Sequence, residues 1–163
     1  MGGPLDLFDV KSGTWEEGIV GGGETPEVRS VHGFLPLGGD DLVTPDGAKV
    51  VAVMFMGERE GAPAELGHDG AGAVRPASSS PPLPSASLTL RCQFHADAWT
   101  LASSGSKFDW AKLPVANGSE TPEARGWFAS GAFGADKVVV HGGLNEKNER
   151  LDDMWMLEVV SQK

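Results

Sequence analysis

The chain has 163 residues, 23 of them glycine and 11 proline, with one cysteine, no tyrosine and a formal net charge of −10. Such a length supports one ordinary domain with a core, while the acidic balance excludes nucleic acid and an anionic membrane surface as partners. The lone Cys92 excludes an internal disulfide and a cysteine zinc cluster; with no long apolar run and no basic-then-apolar leader at Met1–Asp6, the expectation is a cytoplasmic protein.

Taken in chain order, Asp6–Val10 reads as a short strand followed by a turn and Trp15. Glu24-Thr25-Pro26-Glu27-Val28-Arg29 comes next, and it returns as Glu120-Thr121-Pro122-Glu123-Ala124-Arg125, with five of six positions identical at a spacing of 96. Val50–Met56 is a Val-rich run closed by Gly57, and Val138–His141 is another closed by Gly142-Gly143. Continuous β-branched runs predict strands buried on both faces, and terminal glycines suit a sharp turn or a close backbone approach. The pattern Asp-x-large apolar recurs at Asp6-Leu7-Phe8, Asp97-Ala98-Trp99 and Asp153-Met154-Trp155, and a turn and Trp110 follow the second. Residues 74 to 93 are rich in serine and proline and have no apolar period. They read either as a disordered surface loop or as a retained intron, whose removal lowers the Asp6-to-Asp97 spacing from 91 to 71.

One unit is thus an Arg-led strand, a Val-rich strand ending in glycine, an Asp-x-aromatic strand and a strand with tryptophan. This resembles the Kelch repeat, the four-stranded blade of a β-propeller with a period of roughly 50 residues. The Asp97-to-Asp153 spacing of 56 is close to one such period. The resemblance implies an all-β, Kelch-type propeller, incomplete at about two and a half blades where closure takes about four to eight. Residues 1–20 end a preceding blade, 31–113 form one blade carrying the 74–93 insertion, and 127–159 form a last blade without its fourth strand. Upstream blades are expected to be missing.

The stretch Gly57–Gly72 follows a buried strand and holds Glu58, Glu60, Glu65, His68 and Asp69. Loops at blade ends carry function, and mixed carboxylate and imidazole ligands suit Fe(II) or a similar ion; acidic loops are also commonly just solvated. Arg125-Gly126-Trp127, Val140-His141-Gly142-Gly143 and Asn148–Asp153, with the Gly-Glu…Gly-His-x-Gly-Ala-Gly loop, resemble the C-terminal part of the specifier proteins, the nitrile-specifier and thiocyanate-forming proteins of glucosinolate breakdown. That resemblance implies ferrous iron and the diversion of an unstable aglucone. The family's iron loop is Glu-x-x-x-Asp-x-x-x-His. Glu58 and His68 match its ends at a separation of 10 rather than 8, and Ala64 stands at the aspartate position, with Glu65 or Glu60 as substitutes.

The metal set expected is therefore Glu58, Glu65 and His68. Arg29 and Arg125 are expected either to hold an anionic substrate group or to form salt bridges between blades. His141 reads as a core histidine, Asp152-Asp153 as a turn cap, and Trp99, Trp110, Trp127 and Trp155 as inter-blade core. His32 and His95 have no neighbouring partner set in the sequence. Without tyrosine the tyrosine–cysteine chemistry of copper-radical oxidases is excluded, and no nucleophile elbow, phosphate loop or dinucleotide fingerprint is present.

Three functions stay open. The chain is a specifier-like protein acting on a small reactive molecule, a non-catalytic Kelch module binding a protein through its loop face, or a truncated fragment without function that self-associates through open strand edges. Sequencing the native transcript across the codons for residues 70 to 97 tests the insertion. A product lacking codons 74–93 is the expected outcome; a transcript that matches the chain establishes the segment as real.

Overall fold

A computed structural model describes residues 5–18, 20, 21, 23–60 and 93–161. Half of the described residues are strand and none is helix, so the fold is all-β. The strands are β1 (Leu7–Asp9), β2 (Thr14–Glu16), β3 (Gly33–Pro36), β4 (Lys49–Phe55), β5 (Glu58–Glu60), β6 (Gln93–Phe94), β7 (Ala98–Ser104), β8 (Lys107–Lys112), β9 (Arg125–Gly126), β10 (Ala129–Phe133), β11 (Lys137–Asn145) and β12 (Arg150–Glu158).

Local chemistry explains the hairpins. Asp9 turns β1 into β2, its Oδ1 accepting the amides of Lys11 and Ser12 at 2.7 and 3.2 Å, and Gly13 supplies the positive φ that the turn requires. Gly105 does the same between β7 and β8. Val50, Val53 and Phe55 make β4 an inner strand, and Val138 and Val140 do so for β11.

Two main sheets result, each antiparallel. The first has the order β3-β4-β7-β8; the second has the order β10-β11-β12, with β9 paired to the far end of β11. Beyond its glycine, β4 continues through β5, which pairs with β6, so Glu58 lies opposite Phe94. The β1–β2 hairpin stands apart as a two-stranded ladder with exposed faces.

The sheets share one core of Leu37, Leu42, Val50, Val53, Phe55, Met56, Ala102, Val138, Val140 and Val159. Phe55 stacks on Phe128 across it, with ring centroids 5.5 Å apart. The backbone joins the sheets too: the amides of Gly57 and Gly38 donate to the carbonyls of Arg125 and Ala135 at 3.0 Å.

The two sheets are copies of one unit. Ser30 bridges Glu58 in the first, as Gly126 pairs with Leu144 in the second. Val31 and Trp127 share a positive φ of 46° and 53°. Met56 and Gly57 have φ of 55° and 101°, and Gly142 and Gly143 have 66° and 108°. Aligned this way, Phe55 matches His141 and Met54 matches Val140. The first sheet sends Val53 and Phe55 into the shared core, whereas the second sends the opposite parity, Val138 and Val140. The front of one unit therefore packs on the back of the next. This corrects the expectation for His141: it lies on the open front of β11 and is exposed, because strand alternation puts Val138 and Val140 in the core.

The glycines that end β4 and β11 are steric requirements. A Cβ on Gly57 would stand 2.7 Å from the Ser30 carbonyl oxygen, and one on Gly143 2.8 Å from that of Gly126. With positive φ added, Gly57→Ala and Gly143→Ala are each expected to destabilise the fold by roughly 1–3 kcal/mol. Urea denaturation checks this, with Gly47→Ala as a reference at a glycine of φ +83° that has open space around its Cβ.

Candidate functional site

The corner where each Val-rich strand reaches its glycine is held by one network, present twice. Arg125 donates from Nε to the Glu123 carbonyl at 3.1 Å and from Nη1 to the Gly142 carbonyl at 3.1 Å. Its fork grips Asp153, Nη1 to Oδ1 at 2.5 Å and Nη2 to Oδ2 at 2.9 Å. The indole Nε1 of Trp155 donates to the same Oδ2 at 2.5 Å. In the first unit Arg29 donates to the Glu27 and Met56 carbonyls at 3.1 and 3.2 Å, and to Asp97 Oδ1 and Oδ2 at 2.5 and 3.2 Å. Trp99 Nε1 donates to Asp97 Oδ2 at 2.8 Å.

The expectations for these residues divide. The side chains of Arg29 and Arg125 are 2% and 1% exposed, and each is bound by an aspartate of its own sheet. The ion pairs thus lie within a unit, not between units. Asp153 is no turn cap; it is the counter-charge of Arg125, and Asp152 beside it is exposed. Trp99 is buried, whereas Trp127 is 43% exposed rather than core. The sequence reading did not find the aspartates' role. The signal was the repeated Asp-x-Trp, since an indole two residues on reaches back to its own aspartate. The copy at Asp6 carries Phe8, which has no N–H to donate, and Asp6 accepts the Gly18 amide instead.

Electrostatics follow from these contacts. The Arg125 fork, aided by the Trp155 indole, outweighs desolvation and holds the Asp153 carboxyl down to about 2. At Asp97 burial works against ionisation, but the hydrogen bonds from Arg29 and Trp99 prevail and the carboxyl stays below its usual range.

Next to the first network lie the groups of chemical interest. Glu58 is buried, 5% exposed, and its Oε1 has no hydrogen-bond partner. It sits in the seam between the units, flanked by Ser30 and Phe94, and Trp127 of the second unit meets the Phe94 ring edge-on at 6.0 Å. His32 packs its Cβ against Gly57, and its Nδ1 is buried without a partner. His95, whose amide donates to the Gly57 carbonyl at 2.8 Å, leaves Nε2 unpartnered, 4.0 Å from Glu27 Oε2. Arg59 reaches the same Glu27 oxygen at 3.5 Å. Desolvation first, and then the positive charge of Arg29, lower the pKa of both histidines, so both are neutral imidazoles at neutral pH.

Of the expected metal set, Glu58 is placed here; Glu65 and His68 lie outside the described residues. Among the described residues no three His, Cys, Asp or Glu side chains are gathered as a metal cluster. A groove of about 60 Å³ opens between Leu42, Pro45, Val50, Leu113 and Val159, and no carboxylate or imidazole lines it. No helix among the described residues is long and apolar enough to cross a membrane. The chain matches no protein-family model and no curated protein.

Two pH phases follow. A histidine whose pKa falls on folding binds fewer protons in the folded state, so stability rises with pH in that range. Acidification from about pH 6.5 is expected to erode stability as it passes through the depressed pKa values of His32 and His95. A second loss comes below about pH 4, as Asp153 protonates toward its folded value of about 2. Urea midpoints across pH measure both phases; the His32→Phe/His95→Leu double variant should lose the first and keep the second. Asp153→Ala, which leaves the buried Arg125 guanidinium without its counter-charge, should cost about 1–3 kcal/mol, because the Asp153 side chain is 40% exposed and water screens the pair in part.

Proposed function

We propose that the chain is part of a Kelch-type β-propeller, resembling the specifier proteins, that handles a small molecule at the seam between its two units. The front-to-back stacking of equivalent units supports the propeller, since that is how successive blades meet around a ring. The observation that carries the function is Glu58, a buried carboxylate with an unpartnered oxygen at the base of the 57–72 segment. Burial of an uncompensated carboxylate is costly and marks a site where something else completes the set. In the specifier-like reading Glu58, Glu65 and His68 would hold Fe(II), which would supply Lewis acidity and affinity for sulfur. Arg29 and Arg125, with their guanidinium groups already engaged by Asp97 and Asp153, act through the frame around that site.

A second reading is favoured by one feature. The front of the second sheet exposes Phe133, Met154 and Met156 on one face, the kind of apolar patch that binds protein. In that reading the chain is a non-catalytic interaction module.

Anaerobic titration with Fe(II) separates the two. Stoichiometric iron in the wild-type chain, lost in Glu58→Ala and His68→Ala but kept in Asp152→Ala, is the expected result. Absence of bound iron in the folded wild-type chain leaves the interaction module.

A further inference from the structure

The first unit has a strand that the second does not. β8 pairs with the outer side of β7 from Trp99, opposite Lys112, to Ser104, opposite Lys107. The counterpart of β7 is β12, nine residues long, and among the described residues no strand pairs with its outer side. The register identifies the groups this leaves open. The Val159 amide donates to the Asp136 carbonyl at 2.8 Å, so by alternation Trp155 and Leu157 point their backbone polar groups at β11, and Met154, Met156 and Glu158 point theirs outward. The matching residues of β7 are Ala98, Thr100 and Ala102, and the Ala98 carbonyl accepts the Leu113 amide at 2.8 Å. One copy of the fold thus shows what fills a place that is open in the other. That place has a floor. The units stack with β10 beside β3, so a strand laid along β12 covers β8, where Thr100, Ala111 and Leu113 line the groove with Val159 and Val160.

We propose that the outer edge of β12 and this groove bind an extended peptide segment of a partner protein, added antiparallel as a fourth strand. Open N–H and C=O groups supply the affinity for such a strand, and alternate side chains supply the specificity. The chemistry of the occupant follows from the place. On the groove side it carries apolar residues, as β8 carries Phe108 and Trp110, because no carboxylate or imidazole lines the groove. On the other side, the register of β8 sets the counterparts of Leu113, Ala111 and Asp109 opposite Met154, Met156 and Glu158. Met154 and Met156 are 69% and 54% exposed and favour apolar neighbours. Glu158, in a chain of net charge −10, favours a basic one. The inference uses neither Glu58 nor iron.

The probe is a synthetic peptide, Ser106–Pro114 of this chain with Asp109→Lys, titrated into the 15N-labelled full chain. Saturable shifts of the Met154, Met156 and Glu158 amides are expected, with binding about two- to fivefold weaker for the unsubstituted peptide. In β8 the Phe108 carbonyl accepts the Gly21 amide on the side away from β7, so by alternation the Trp110 amide also points away and the Ala111 amide points at β7. N-methylation at Ala111 of the peptide should therefore weaken binding at least about tenfold, and N-methylation at Trp110 should not. Equal effects of the two methylations overturn the proposal, as does the absence of saturable binding. Shifts confined to Phe133 and His141 assign the peptide to the open front and overturn it too. Met156→Pro removes an outward N–H and leaves the ladder to β11 whole; this variant, or Met154→Pro where the first does not fold, should lose binding. Undiminished binding by a folded proline variant also overturns the proposal.

Discussion

A buried arginine gripped by an aspartate is the interaction on which each unit depends. Arg125 sits on β9, Asp153 is drawn from β12, and Gly142 contributes its carbonyl from the bend in β11. One guanidinium thus ties three chain segments together at one corner. Neither partner is dispensable, because a buried charge without its counter-charge is worse than no charge at all. The indole N–H adds direction: it fixes the carboxylate plane, and the planar fork of arginine accepts only that geometry. Lysine, a point charge, would not hold three segments in one register.

The same frame explains residues that would otherwise be strained. Val31, Met56 and Trp127 carry positive φ without being glycine, a conformation that persists only when its surroundings over-determine it. The Met56 carbonyl is a hydrogen-bond acceptor of Arg29, and the Val31 carbonyl accepts the Trp127 amide across the seam. In the second unit Gly142 takes the position of Met56 and needs no such enforcement.

Much of this was legible in the sequence, and the rest was hidden for physical reasons. The Val-rich runs and their closing glycines mark β4 and β11, because β-branched residues and sharp bends leave local traces. The repeated Arg29 and Arg125 were visible, but their partners were not: Asp97 is 68 residues from Arg29, and Asp153 is 28 from Arg125, and no local rule links residues that far apart. His141 misled because a Val-rich run implies burial on both faces, whereas the front of β11 is open. Glu58 stood out as a carboxylate after a buried strand. His32 and His95 did not, since the burial of their ring nitrogens comes from segments distant in the sequence.

The front-to-back stacking has a geometric consequence of its own. The open front bearing Phe133, Met154 and Met156 is complementary to a back, not to another front. Two chains meeting by a two-fold axis would set front against front and find no mate for either surface. Stacking through these faces has a direction, like steps on a stair, and every added unit repeats the same rotation in the same sense. Whatever extends the stack, a neighbouring unit or another chain, is therefore selected by which way it faces before any side chain is compared.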